Sequence, residues 1–215
     1  MKYPNFNEER KLKRRGYEQV VGLDESGRGP LAGPVVAGAV YVRKNLKPNT
    51  YTLIPNLRDS KKLTLRQREE IYEILKACTD IKWGIGKVSE KVIDRINILE
   101  ATKLAMKRAI RNLEKKHSLA DFLIIDGNFG ISLDIAQKSI IKADEKVISC
   151  ALASIIAKVS RDRMMINYHR KYPQYSFDKH KGYPTKLHRK MLKKHGFCKI
   201  HRKSFTFTIC PVVKL

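Results

Sequence analysis

The sequence predicts an α/β fold: a sheet with helices packed on its faces and a smaller helical portion at the C-terminal end. Three observations carry this expectation. Two β-prone runs lie close together near the start. Further strand-like runs then alternate with stretches of helical periodicity, the order expected of a layered α/β sheet. The last part of the chain is basic and carries one more helix signal.

Taken in order, residues 1–18 are charged and lack the apolar core of a signal peptide, so they read as a solvated basic arm. Residues 19–23 and 34–42 are the first two strands. Ser26-Gly27-Arg28-Gly29-Pro30 between them is rich in turn formers, which allows antiparallel pairing. Thr64 and Gln67 have capping-box spacing and open a helix to about Ala77. Residues 81–88 alternate as a third strand. Ser89 begins a long helical stretch to about Lys116, with Leu99, Met106, Ile110 and Leu113 on one face. Residues 122–125 form a short buried strand stopped by Asp126-Gly127-Asn128, and residues 139–143 form a fifth that ends at Asp144. The pattern is helical again from Ile148 to about Tyr172, and once more over residues 186–194. These elements divide the chain into the arm, a catalytic domain at 19–172 and a basic extension at 173–215.

Lysine and arginine total 45 against 21 acidic residues, a formal charge of +24. Such an excess repels itself unless a polyanion relieves it, and each phosphate neutralised releases a counterion, so nucleic acid is the expected partner. Solubility alone is usually reached with mixed charges and a much smaller imbalance. The most apolar run, residues 34–42, is too short to span a bilayer. Cys78, Cys150, Cys198 and Cys210 are widely spaced with no Cys-x-x-Cys pair, as expected of reduced thiols in the cytoplasm.

Asp24, Glu25, Asp126 and Asp144 each follow or end an apolar strand candidate. Carboxylates at buried strand ends are costly to desolvate and repel one another, and together they would bind a divalent metal through hard oxygen ligands. Taken singly, each is as readily a cap or loop acid. One geometric difficulty remains: strand neighbours point to opposite faces, so Asp24 and Glu25 share a site only if the turn formers end the strand at Glu25. Gly27 and Gly29 around Arg28 let the main chain approach a ligand closely, including a ribose 2′-hydroxyl; a plain hairpin turn would look the same. Lys61 and Lys62 precede a helix start, where phosphate contacts are favourable. Tyr183 lies in a basic loop and can stack on a sugar or base, or pack at the domain edge. His195, Cys198, His201 and Cys210 match no standard zinc spacing.

The segment Gly22-Leu-Asp24-Glu25-Ser26-Gly27-Arg28-Gly29-Pro30-Leu-Ala-Gly33-Pro34 resembles the opening motif of the type 2 ribonucleases H, the ribonuclease HII family. The similarity continues in order through Asp59-Ser-Lys-Lys-Leu63, Ile125-Asp126-Gly127, Lys142-Ala-Asp144, Ala153-Ser-Ile-Ile-Ala-Lys158-Val-Ser-Arg161-Asp162 and Gly182-Tyr-Pro-Thr185. The resemblance implies an RNase H-like fold, a five-stranded mixed sheet flanked by helices with a helical C-terminal extension. It implies dependence on Mg²⁺ or Mn²⁺ held by Asp24, Glu25, Asp126 and Asp144. Gly27, Arg28 and Gly29 would read the 2′-hydroxyl at an RNA–DNA junction, and Tyr183 would stack on the following deoxyribose. Lys61, Lys62, Ser154, Lys158 and Arg161 would contact the nucleic-acid backbone. The implied activity is cleavage of the RNA strand of RNA–DNA hybrids and nicking 5′ of ribonucleotides embedded in duplex DNA. Two metal ions would assist, and the ends would be a 3′-hydroxyl and a 5′-phosphate. A cytoplasmic monomer is expected on the same ground. His201-Arg-Lys-Ser-Phe205 resembles the family's arginine-rich segment only loosely, which leaves the role of the tail open. A non-catalytic basic duplex-binding protein would explain the charge but not the acids. A DNA-cutting relative on the same fold would act on all-DNA duplexes.

Overall fold

The first two β-prone runs form strands β1 (Val20–Ser26) and β2 (Val35–Val42), paired antiparallel with Val21 opposite Tyr41 and Ser26 opposite Val36. The structure, a computed structural model, describes residues 4–43, 63–115 and 117–206. Strand β3 (Ile81–Val88) adds antiparallel to the outer side of β2, at the bounds its alternation predicts. Strand β4 (Phe122–Asp126) runs parallel to β1 on the other side, and β5 (Ala136–Ile140) runs parallel to β4. The sheet order is β3-β2-β1-β4-β5, the mixed five-stranded arrangement expected.

Three local expectations are corrected. Strand β1 continues through Glu25 to Ser26, so the turn formers do not end it at Glu25. The fifth strand begins at Ala136 rather than 139, because an edge strand with a largely exposed Ala-Gln-Lys-Ser-Ile sequence has no buried face to mark it. Asp144 consequently lies beyond any strand, in a 3-10 turn (Ala143–Glu145) entered through Lys142 at a left-handed φ of 57°.

Helices cover both faces. Helix α1 (Asn7–Lys13) occupies the stretch expected to be a solvated arm; Leu12 is buried, and the Glu9 carboxylate accepts hydrogen bonds from the Ser149 amide (3.1 Å) and hydroxyl (2.9 Å). Helix α2 (Leu65–Ala77) opens with the predicted reciprocal bonds, Gln67 N–H to Thr64 Oγ1 and Thr64 N–H to Gln67 Oε1. Helix α3 (Glu90–Glu114) is broken at Asn97, whose φ is 64° and whose side chain accepts from the Leu99 and Glu100 amides, starting the second half as an N-cap. Leu99 thereby falls in a first turn and is only partly buried. Ala101, Ala105, Met106, Ala109, Ile110 and Leu113 form the face packed on Leu23, Ala37, Ala39, Leu123 and Ile125. Helix α4 (Ile148–Lys171) covers the opposite face, with Leu152, Ala153, Ile155, Ile156 and Val159 against Val40, Val42, Leu75 and Ile81. A buried leucine or isoleucine side chain contributes about 1.5–3 kcal/mol each, so these two layers hold the sheet. The backbones approach very closely: a β-carbon on Gly38 would sit 2.5 Å from the Ala153 carbonyl oxygen.

After α4 come a 3-10 turn (Pro173–Tyr175) and helices α5 (Phe177–His180), α6 (Lys186–His195) and α7 (Lys203–Thr206). Tyr175, Phe177, Leu192 and Ile200 fold back onto Met165 and onto Leu31 and Ala32 of the loop between β1 and β2. No helix of the described residues is long and apolar enough to cross a membrane.

Candidate active site

Strand alternation settles which acids meet. On β1, Val21 and Leu23 face α3, whereas Val20 packs with Cys150 and Gly22 abuts Ser149, both of α4. Asp24 continues the α4-facing row. On β4, Leu123 and Ile125 face α3 and Ile124 faces α4, so Asp126 again falls on the α4 side. Leu23 pairs with Ile125 in register, which puts the two aspartates side by side at the carboxyl ends of parallel strands. The Asp126 carboxylate accepts the Ala143 amide (2.8 Å), tying β4 to the turn that carries Asp144. One carboxylate oxygen each from Asp24, Asp126 and Asp144 lies within 4.8 Å of the others.

Asp24 and Asp144 are buried and Asp126 is half-buried. Burial first, and then the charges of Glu25, Asp126 and Asp144, push the Asp24 carboxyl well above its usual range; a hydrogen bond from Ser154 acts in the other direction. The Glu25 amide also donates to Asp24 Oδ1 (2.6 Å). Gathered hard oxygen donors that repel one another fit a divalent cation such as Mg²⁺ or Mn²⁺, which would relieve the repulsion. Glu25 lies outside the group of three, yet it faces the same site although β1 does not end there, and its charge is the largest acting on Asp24. It lines the same cavity and approaches the Arg28 guanidinium at 3.5 Å.

Asp24, Glu25 and Asp126 open into a cavity of about 450 Å³, with Asp144 buried behind them. Gly27, Arg28, Gly29, Ser154, Lys158 and Tyr183, all expected from the sequence, line it with Asp24, Glu25 and Asp126. Gly27 has a φ of +99°, and a β-carbon there would lie 2.1 Å from Arg161 Nε, so the position requires glycine twice over. The Tyr183 ring is partly exposed, 5.7 Å from both the Lys158 ammonium and the Arg161 guanidinium.

Residues 154, 158 and 161 form one stripe of α4, at i, i+4 and i+7, but they do different work. Ser154 bonds Asp24 and also lines the cavity, where the sequence expects a contact to the nucleic-acid backbone. Lys158 pairs with Asp162 at 2.9 Å while keeping part of its surface in the cavity. Arg161, expected as a backbone contact, is fully buried: it donates to the carbonyls of Pro34 (3.0 Å), Ala32 (3.2 Å) and Lys181 (3.0 Å), so it supports the loop rather than reaching a phosphate. Lys61 and Lys62 lie outside the described residues. Arg68, one turn into α2, lines the cavity and was missed; its place just after the capping box was the available signal.

The histidines and cysteines of the tail, which match no standard zinc spacing, form no metal-type group among the described residues. Cys198 Sγ lies 3.1 Å from His201 Nδ1, while His195 sits against the Tyr175 ring, and Cys210 is outside the described residues. Among the described residues the aspartate trio is the one group of three or more metal-type ligands.

A sequence model of the ribonuclease HII family matches residues 21–208, a span that holds the acids, the glycine loop and Tyr183. The chain belongs to the ribonuclease HII family. Ribonuclease HII of Syntrophus aciditrophicus is 50% identical over 197 residues, covering 92% of this chain and 88% of that protein. Among solved structures, the ribonuclease H2 of Pyrococcus horikoshii superposes with a TM-score of 0.67 at 27% identity, over 86% of this chain and 93% of that one. The ribonuclease HII of Archaeoglobus fulgidus, solved in complex with PCNA, gives 0.70 at 25% identity, over 86% and 94%. The family and its RNase H-like fold identify the chain as a metal-dependent ribonuclease H.

Proposed function

We propose that this ribonuclease HII cleaves the RNA strand of RNA–DNA hybrids and nicks duplex DNA on the 5′ side of an embedded ribonucleotide, leaving 3′-hydroxyl and 5′-phosphate ends. The observation that carries this reading is one cavity that joins the clustered acids to Gly27-Arg28-Gly29 and Tyr183. When bound, two Mg²⁺ or Mn²⁺ ions supply stabilisation of the attacking water and the leaving oxygen of the phosphodiester. Asp24, Asp126 and Asp144 would hold them, with Glu25 at the cavity wall as the fourth carboxylate. The glycine loop brings main chain against the ribose, where a 2′-hydroxyl is both donor and acceptor. Tyr183 presents its ring face to the adjoining sugar. Lys158 and Arg68 meet phosphate charge from α4 and α2.

The test is a DNA duplex with a single ribonucleotide, incubated with Mg²⁺ and then with EDTA. Metal-dependent nicking 5′ of the ribonucleotide is expected. Asp24→Asn and Asp126→Asn should each remove cleavage and leave duplex binding largely intact; if both still cut, the assigned site is wrong. Tight binding without nicking would support a non-catalytic duplex binder, and cutting of the all-DNA duplex would support a DNA nuclease on this fold.

A further inference from the structure

Arg202 is a fully buried cation that the reaction above does not use. It stands in the tail segment whose role the sequence leaves open. Desolvation brings its pKa down to about 9, the mark of a guanidinium held in a poorly solvated place. Its side chain donates to three main-chain carbonyls of the loop between β1 and β2: Gly27 (2.6 Å) and Arg28 (2.9 Å) through the two terminal nitrogens, and Gly33 (2.9 Å) through Nε. Gly27 and Arg28 belong to the very segment that faces the cavity. The backbone adds to the grip. The Arg202 amide donates to Leu31 O and the Gly33 amide to Ile200 O, each at 2.8 Å.

The preceding residue reaches the other side of the cavity. His201 Nδ1 accepts the Cys198 amide (2.9 Å), so its proton resides on Nε2 and points at His188 Nε2 (3.0 Å). His188 then carries its proton on Nδ1, which donates to the Tyr183 carbonyl (3.0 Å). Two adjacent tail residues therefore hold the two parts of the cavity that would meet the sugar.

We propose that Arg202 is a positioning residue for ribose selection: its planar fork fixes the Gly27-Arg28 main chain at the height a 2′-hydroxyl requires, while His201, through His188, fixes Tyr183 opposite. The inference rests on the ribonucleotide-nicking reading above. Lysine cannot replace the fork, since an ammonium is a compact point donor and cannot reach the three separate carbonyls that the Nε and two terminal nitrogens of the guanidinium meet.

Arg202→Lys tests it. Three quantities are compared with the unmodified chain: folding by circular dichroism and melting, kcat/KM for nicking a single-ribonucleotide duplex, and the inhibition constant of the same duplex made entirely of DNA. Displacing a substrate-positioning group by about 1 Å costs on the order of 100-fold, so kcat/KM should fall by about that factor in a folded variant. The all-DNA inhibition constant, set by phosphate contacts, should stay within about threefold of the parent's. A folded variant that nicks like the parent overturns the inference, and so does one that loses all-DNA affinity in the same proportion as kcat/KM. If the unmodified chain itself does not nick, it is the underlying reading that fails, and ribose selection falls with it. Should Arg202→Lys not fold, amide exchange on the unmodified chain decides. Protection of the Gly33 and Arg202 amides comparable to that of β1 supports the clamp, and exchange at the rate of exposed loops overturns it.

Discussion

Asp24 is buried beside three other carboxylates, so desolvation and their charges together load it against ionisation. Without divalent ions that load is a stability defect. Asp24→Asn should therefore raise the melting temperature of the EDTA-treated protein; at about 2–4 °C per kcal/mol for a chain of this size, the gain is a few degrees. Mg²⁺ should raise the melting temperature of the parent and do so less in the variant, as a calorimetric scan with and without the ion would show. Gly27 carries the opposite kind of constraint. Gly27→Ala combines a positive φ with a clash on Arg161 and should cost about 1–3 kcal/mol, read from the shift in urea midpoint. The acids were legible as single letters because carboxylates at the ends of apolar runs are unusual. The buried bonds of Arg161, and that of Ser154 to Asp24, were not. A sequence records a cation or a hydroxyl but not whether its partner is a phosphate in solution or a carbonyl or carboxylate brought in from a distant segment.

Helix α4 shows how one element serves several tasks along a single stripe. Its first part seats the sheet, Ser154 bonds Asp24, Lys158 meets the cavity, and Arg161 props the loop between β1 and β2. Lys158→Ala should weaken binding to every duplex alike and reduce the slope of log affinity against log salt by about one, measurable by a salt titration. Elements specified by local pattern, β3 by alternation and α2 by its capping box, were legible to within a residue or two. The others depended on context. β5 is an exposed edge, the break in α3 turns on the unusual backbone of Asn97, and the turn holding Asp144 exists because Ala143 donates to Asp126. The consequence for the site is specific: the residue identity of Asp144 was readable, but the structural reason it meets Asp24 was not.

At the scale of the molecule, the described part of the basic extension is anchored to the catalytic domain by Tyr175, Phe177, Leu192 and Ile200, and buried imidazoles give it a pH limit. Burial, together with neighbouring histidine charge, lowers His188 from 6.5 to about 4 and His201 from 6.5 to about 3. In the unfolded chain both rings take up protons near pH 6.5, before the folded rings do, so folding is opposed as pH falls. The stability these neutral rings allow is complete above pH 6.5 and is lost progressively as pH drops toward about 4 and then about 3. Melting temperatures taken from neutral pH downward should decline over that window, and His201→Gln should flatten the decline even if it lowers the starting value.

The contact between Arg202 and Gly27 joins residues 175 positions apart. A chain made from its N-terminus can pair β1 with β2 long before it holds the residue that locks the loop between them, since domains begin to organise as they emerge. Strands β1 and β2 can therefore pair before residue 202 has been made, whereas the bonds that tie the carbonyls of Gly27, Arg28 and Gly33 to Arg202 form only once that residue has been added.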